Sequence, residues 1–338
     1  MGANQAELNR MVASLEMSGA YRVLERFELQ SRYGEPGDAG DIRSVMFVAT
    51  ETTGVSALSD VMFEFGYVVA DVDTKTGAVL RIGGKYQGFE APGQSLGAYI
   101  SELTGVEDED IKGKRFDDAR VEADLAKVDL VVSHNAELER PFLEKRFKGF
   151  EEKWFACSGI DVNWLAYGSR LKNLEFLAYK LARVFFEGRR ALSQAEMMVH
   201  VLGQEVPDMG VPMAEMLHNS RGIVHRVWAS DAAPQVGGML KAAGYEYSTI
   251  NSPLDIKRTW YRETSDVKGE LLWLAQGALP EGSMVTVDVV TGRERFTGRV
   301  KKRISCAVGS GQEPSGSATQ ARQDGRSNNM NTRAPLPV

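Results

Sequence analysis

The sequence has few of the residues that build disulfide frameworks and zinc sites. Among 338 residues there are two cysteines, Cys157 and Cys306, and only four histidines. Two cysteines so far apart form neither a disulfide framework nor a zinc site, which favours a cytoplasmic setting. No run of about 18 apolar residues occurs, so no segment is predicted to cross a membrane. The first residues lack the basic-then-apolar pattern of a secretory signal.

The remaining composition is typical of a soluble globular chain, with 43% hydrophobic and 25% charged residues and a net charge of −6. The length allows one large core and a smaller second domain. The patterns predict five parts: an amphipathic helical leader and linker (1–41), a domain of alternating strands and helices (42–205), a linker (206–222), a small α+β module (223–303) and a disordered tail (304–338).

The stretch at residues 45–66 organises the larger domain. An apolar run leads into a turn punctuated by Gly54, and a second apolar run starts at Val61. This pattern predicts two buried strands that form a hairpin. Glu51 lies near the end of the first strand, two residues after Ala49, so we expect both side chains on one face of the sheet.

Two further segments carry polar residues at the ends of predicted elements. Residues 130–143 predict a short buried strand that ends at His134 and Asn135, followed by a helix with Glu139 in its first turns. Residues 189–196 open another predicted helix and read Arg-Arg-Ala-Leu-Ser-Gln-Ala-Glu.

Together the three segments resemble the motifs of the DEDD (DEDDh) superfamily of 3′–5′ exonucleases, whose type member is the proofreading epsilon subunit of bacterial DNA polymerase III. The family motifs read Asp-x-Glu, His-Asn-Ala-x-Phe-Asp and His-x-Ala-x-x-Asp. The resemblance implies a ribonuclease-H-like α/β domain, with a five-stranded mixed sheet and helices on both faces. Residues 223–303 resemble the small module that follows the exonuclease domain in some bacterial and phage relatives.

The resemblance also implies that the family's catalytic site is degenerate in this chain. Family members use four carboxylates to hold two divalent metals, and a histidine that takes a proton from water. The five corresponding positions are occupied here by Ala49, Glu51, Glu139, Arg189 and Gln194. Only Glu51 is unchanged. Glu139 stands in for Asp with one extra methylene, and an arginine cannot act as a base near neutral pH.

We therefore predict little or no two-metal hydrolysis. The remnant acids Glu51 and Glu139 are expected to hold metal weakly or not at all, and Mg²⁺ or Mn²⁺ is expected only if activity remains. Whether the protein is an enzyme stays open at this point.

Three interpretations of Arg189 follow from these departures. Its guanidinium could form an internal ion pair with Glu51 or Glu139. Alternatively, it could meet a phosphate directly, in place of the metal. A third interpretation is relocated catalysis, for which Glu64 and Glu196 are the spare acids near the same elements.

The leading functional hypothesis is a catalytically inactive protein of exonuclease fold that binds nucleic acid ends or a replication or repair partner. Its candidate contacts are Thr52, Thr53, His134, Asn135, Arg189 and Arg190. The expected partners are the 3′ end of a single strand and a polymerase or another replication or repair protein. The alternatives are an active metal-dependent 3′–5′ exonuclease with a rebuilt site, and an interaction scaffold that binds no nucleic acid.

Overall fold

A computed structural model describes residues 4–38, 40–186, 188–250, 252 and 254–309. The chain divides into two compact units. The first contains residues up to 151 together with 155–220, and the second contains 152–154 and the residues from 221 onward. Across the described ranges, none of the helices has the length and apolar content needed to cross a bilayer.

Strands and helices alternate along the first unit, as the sequence predicts. Its strands are β1 (Glu25–Arg26), β2 (Ile42–Thr52), β3 (Met62–Asp73), β4 (Val79–Phe89), β5 (Leu130–Ser133), β6 (Trp154–Cys157) and β7 (Val184–Phe185). Its helices are α1 (Gln5–Met17), α2 (Gly97–Thr104), α3 (Asp108–Ile111), α4 (Asp118–Ala126), α5 (Ala136–Arg146), α6 (Ser158–Asp161), α7 (Leu174–Leu177), α8 (Ala191–Leu202) and α9 (Pro212–Ser220).

Five of these strands form one sheet in the order β4-β3-β2-β5-β6. Strand β3 is antiparallel to both β2 and β4, whereas β5 is parallel to β2. The predicted hairpin is therefore present at the centre of a mixed sheet. This arrangement confirms the predicted fold class.

Helices cover both faces of the sheet, and the alternation of side chains along β3 shows how. The Tyr67 hydroxyl points to one face and donates a hydrogen bond of 2.8 Å to Asp124 of α4. At Gly66, the next residue toward the amino terminus, a side chain would point to the other face and would meet the backbone of α8 at Leu192. Successive residues of a strand point to opposite faces, so the two helices lie on opposite sides.

The predicted helical leader contains one helix, α1, among the described residues. None of its side chains is buried. The chain then continues as the short strand β1, which pairs in parallel with β7. Farther on, the Tyr33 hydroxyl lies 2.8 Å from Nδ1 of buried His200 in α8, so the leader is attached to the helix that also borders the candidate site.

Two predicted boundaries need correction. Residues 206–222 are not simply a linker, because α9 forms there and buries Met213, Met216 and Leu217. The predicted tail began at 304, but a strand of the second unit continues through 307, with Cys306 buried on the core side. Both segments carry apolar residues at regular spacing, and burial of these residues orders them. Residues 310–338 lie outside the described ranges.

An antiparallel sheet forms the framework of the second unit. Its strands are β8 (Val224–Ala229), β9 (Glu246–Ser248), β10 (Thr259–Thr264), β11 (Met284–Val290) and β12 (Lys302–Ala307), and its helices are α10 (Gly237–Ala242) and α11 (Val267–Leu274). The strand order is β12-β11-β8-β10-β9. Apolar residues from one sheet face form a core with both helices, including Val227, Leu240 and Leu271.

Candidate functional site

The end of β2 places Ala49 and Glu51 on the sheet face that α8 covers. Ala49 pairs with Gly66 across the hairpin, and Glu51 pairs with Glu64. Because side chains alternate along both strands, these four residues share one face. The sequence predicts that Ala49 and Glu51 share a face, but not that a second carboxylate stands directly opposite Glu51.

Gln194 of α8 reaches the same point. Its Nε2 donates a hydrogen bond of 2.7 Å to Oε1 of Glu51 and another of 2.9 Å to the carbonyl oxygen of Gly188. The first and third motif segments therefore meet, as the resemblance implies. However, the amide N–H of Gln194 donates a hydrogen bond to the Glu51 oxygen that a metal ion would need as a ligand.

Glu139 is buried and bonds to the surrounding chain. Its Oε1 accepts a hydrogen bond of 3.0 Å from the backbone N–H of Thr50. Its Oε2 accepts from the Ser133 hydroxyl and, at 3.3 Å, from the backbone N–H of Asn135. Both oxygens thus hold the ends of β2 and β5 to the start of α5. Burial raises the pKa of Glu139 to about 7.

The surroundings of Glu51 disfavour the charged form of its carboxyl group. Burial raises its pKa to about 8, and the nearby charges of Glu64 and Glu139 add to the increase, while Gln194 and Arg190 oppose it. Burial also raises the pKa of Glu64, whose side chain is fully enclosed. With a pKa of about 8, the Glu51 carboxyl group is largely protonated at neutral pH.

The side chains therefore do not fit a pair of divalent metals. Magnesium needs several oxygen ligands in near-octahedral array. Here Ala49 offers none, Gln194 turns its donor nitrogen toward Glu51, and both Glu139 oxygens already accept hydrogen bonds. Among the described residues, no group of three or more His, Cys, Asp or Glu side chains is arranged to hold a metal ion.

The two arginines before α8 have different environments. Arg190 Nε lies 3.5 Å from Oε1 of Glu64, and its guanidinium stacks 4.8 Å from the centre of the Phe89 ring. Arg189 is exposed and forms no ion pair with any described residue. The interpretation that Arg189 pairs with Glu51 or Glu139 is therefore wrong. The neighbouring arginine forms the ion pair, and it does so with Glu64.

Arg189, Glu51 and Gln194 line a cavity of about 610 Å³, here called the end cavity. Its opposite wall belongs to α2, where Tyr99 and Leu103 are exposed apolar side chains. Neither of these two residues was among the predicted contacts. Their helical spacing of four residues, on a helix with little to bury, is the sequence signal that could have indicated them.

The other predicted contacts serve mainly the local structure. The Thr52 hydroxyl donates to the carbonyl of Gly54, and the Thr53 hydroxyl accepts from the backbone N–H of Val61. Nδ1 of His134 lies 2.7 Å from the Ser158 hydroxyl, and Nε2 lies 2.6 Å from the carbonyl oxygen of Lys172.

His134 is neutral in this arrangement, because burial lowers its pKa below the ordinary value. Its Nε2–H then donates to the Lys172 carbonyl, and Nδ1 accepts from the Ser158 hydroxyl. Of the predicted contacts outside the two arginines, Asn135 is the one with an exposed side chain.

The two acids considered for relocated catalysis, Glu64 and Glu196, also bond to neighbouring residues. Glu64 Oε1 accepts hydrogen bonds from Gln87 at 2.7 Å and from the backbone N–H of Ala191 at 3.1 Å. Glu196 forms an ion pair of 2.7 Å with Lys85. Neither carboxylate lines the end cavity.

The burial of Glu51 predicts a pH-dependent stability. Its folded-state pKa of about 8 lies above the ordinary 4.5, so the folded chain retains a proton that the unfolded chain loses. Glu51 therefore lowers the free energy of unfolding as pH rises from about 4.5 to about 8. We expect Glu51→Gln to raise that free energy by about 1–3 kcal/mol at pH 8.5 and by much less at pH 5.

Urea denaturation at the two pH values measures this difference. The matched control is Glu102→Gln, which removes an exposed acid from the same cavity and should leave the free energy of unfolding nearly unchanged at both. A gain for Glu51→Gln that is equal at the two pH values would contradict the assignment.

The mixed sheet and the three motif segments define a chain with a fold of the ribonuclease-H type, resembling DEDDh exonucleases. No family model matches the sequence. The chain is similar to the PolC-type DNA polymerase III of Listeria monocytogenes, with 28% identity over 177 residues, and to that of Listeria innocua, with 31% identity over 165 residues. These matches cover 50% and 47% of this chain but only 11% of each relative.

The chain is also similar to solved structures. One is Exonuclease X in complex with 5′ overhanging duplex DNA, with a TM-score of 0.40 and 14% identity over 52% of this chain and 98% of that chain. The other is the nuclease domain of a DEDDh-family 3′-exonuclease bound to rAMP, with a TM-score of 0.38 and 16% identity over 50% of this chain and 94% of that chain.

Proposed function

We propose that the first unit binds the 3′ end of a single-stranded nucleic acid in the end cavity and does not cleave it. The observation that carries this proposal is the guanidinium of Arg189, which forms no ion pair with a described residue and lines the same cavity as a carboxyl group bonded to the Gln194 amide. An arginine can donate two parallel hydrogen bonds to a phosphate. Asn135, with its exposed side chain, remains a proposed further contact.

The charge balance of the cavity is compatible with an anionic ligand. Glu51, whose pKa is raised to about 8, carries little charge at pH 7. Glu102 and Glu175 also line the cavity, but both are exposed, so water and salt screen their charges. The exposed apolar side chains of Tyr99 and Leu103 provide a surface against which a base can pack.

The proposal includes no tightly bound cofactor. Binding is expected to persist in the presence of a chelator, because Arg189 rather than a metal contacts the phosphate.

A role in replication or repair, with a polymerase as partner, is proposed from the similarity to PolC-type polymerases. A cytoplasmic location is proposed on the ground that Cys157 and Cys306 are free and buried.

Oligonucleotide binding tests the role of Arg189. We expect Arg189→Ala to weaken binding of a linear single strand at least tenfold, since a charge-assisted hydrogen bond contributes about 1.5–3 kcal/mol. Lys75→Ala, which removes an exposed cation outside the cavity, is the matched control. A circular strand of the same sequence has no 3′ end and should bind the unaltered chain less tightly. Fluorescence anisotropy at fixed salt gives all three values.

Equal binding of the linear and circular strands, or no loss with Arg189→Ala, would refute the proposal. Cleavage is tested separately with a 5′-labelled strand incubated with Mg²⁺ or Mn²⁺, which should remain at full length. Shortening that Glu51→Ala abolishes would favour the alternative of an active exonuclease with a rebuilt site.

A further inference from the structure

A second cavity of about 720 Å³ lies in the first unit, here called the track cavity. It is formed by the segment 160–172, which begins in α6, and by residues of α9. The ring of Trp164 is buried at its base, and Leu165 is exposed at its wall. None of its lining residues belongs to the motif segments that resemble the exonuclease family.

The track cavity carries unpaired positive charge. Arg170 and Lys172 line it, both are exposed, and neither side chain forms an ion pair with a described residue. The acid in the same cavity is Glu215, whose carboxylate already accepts hydrogen bonds from the backbone N–H of Asn163, at 3.1 Å, and from the Tyr167 hydroxyl. Two cations are therefore available to a ligand.

The segment that bears these cations is held in place before any ligand arrives. The carbonyl oxygen of Lys172 accepts the 2.6 Å hydrogen bond from His134, which lies at the end of β5. The Ser169 hydroxyl donates to the carbonyl of Leu171 at 2.7 Å. These bonds fix the backbone on both sides of the cationic side chains, which lowers the entropy cost of binding.

The linings of the track cavity and the end cavity come close together in the sequence. Lys172 lines the track cavity and Glu175 lines the end cavity. Three residues span at most about 10 Å. A single strand of more than a few nucleotides, with its terminal nucleotide beside Arg189, can therefore extend from the end cavity toward the two cations.

We propose that the track cavity binds the phosphodiester backbone of the same single strand, upstream of the end held at Arg189. Arg170 and Lys172 each contact a phosphate, so recognition is independent of base sequence and applies to any single-stranded nucleic acid. This inference rests on the proposed function and adds to it a second subsite and a minimum length of strand for full affinity.

The dependence of binding on strand length and salt tests the inference. A trinucleotide fills only the end cavity, whereas a twelve-nucleotide strand reaches both. We expect Arg170→Ala/Lys172→Ala to weaken binding of the longer strand at least tenfold and to leave trinucleotide binding unchanged. The slope of log K against log salt for the longer strand should become shallower by about 1.4, since each phosphate contact on a single strand contributes about 0.7.

The control is Lys75→Ala/Lys127→Ala, which removes the same charge from exposed positions that line neither cavity. If the Arg170/Lys172 double variant and this control have the same slope and affinity, the inference is overturned. If Arg189→Ala weakens trinucleotide binding in the same experiment, the proposed function stands even when the inference fails. If Arg189→Ala has no effect on either strand, the proposed function fails, and the inference fails with it.

Discussion

Replacement of Gly66 by alanine is expected to lower the free energy of unfolding of the first unit by about 3 kcal/mol or more. Gly66 lies on β3 where the strand passes directly beneath α8. A Cβ added there would overlap the backbone nitrogen of Leu192 and lie 2.5 Å from the carbonyl carbon of Ala191. Backbone atoms cannot rotate aside, so strand and helix must move apart, and Gln194 would move away from Glu51.

The matched control for this change is Gly84→Ala on the neighbouring strand β4. A Cβ at Gly84 meets nothing within 4 Å, and its backbone needs no positive φ. The free energy of unfolding should change by less than about 1 kcal/mol. Urea denaturation of the two variants compares them directly, and equal effects would show that the close approach of β3 to α8 does not limit stability.

The second large effect is expected in the second unit, at Asp288 of β11. This side chain is fully buried. Its carboxylate accepts hydrogen bonds of 2.6 Å from Nε1 of Trp228 and from Nε of Arg303. Asp288→Ala leaves the buried indole N–H unpaired and removes the partner of a cation. We expect the free energy of unfolding to fall by about 3 kcal/mol or more.

The control for Asp288→Ala is a change at Asp255, because Arg303 also forms an ion pair with Asp255, at 2.8 Å. The side chain of Asp255 is 46% exposed, and such ion pairs contribute at most about 1 kcal/mol. Asp255→Ala should therefore have little effect. Denaturation followed by tryptophan fluorescence measures both variants. A loss at Asp255 as large as that at Asp288 would contradict the role assigned to burial.

Much of the fold could be predicted because β2 and β3 carry unbroken apolar runs separated by turn residues. The period of two along a strand also predicts that Ala49 and Glu51 share a face. The meeting of Gln194 with Glu51 could be predicted only from the resemblance, since 143 residues separate them in the sequence. No local pattern indicates a pairing over that distance.

The positions of Glu64 and the two arginines could not be predicted for a different reason. Glu64 faces Glu51 because of the register of the hairpin, which depends on the loop between its strands. Arg190 has extended backbone, with φ −127° and ψ 130°. The guanidinium of Arg190 lies beside Glu64, whereas Arg189 lines the end cavity. The helix-start pattern does not determine which arginine faces which way.

The attachment of the leader to α8 has a consequence for the order in which the first unit assembles. Tyr33 and His200 are 167 residues apart in the sequence. During synthesis from the amino terminus, the early residues must therefore wait for most of the unit to emerge before they can dock. Contacts between such distant residues form late, because closing a long loop costs entropy before the contact stabilises it. The leader, although it is made before the rest of the unit, is thus among the last segments of the unit to reach its native position.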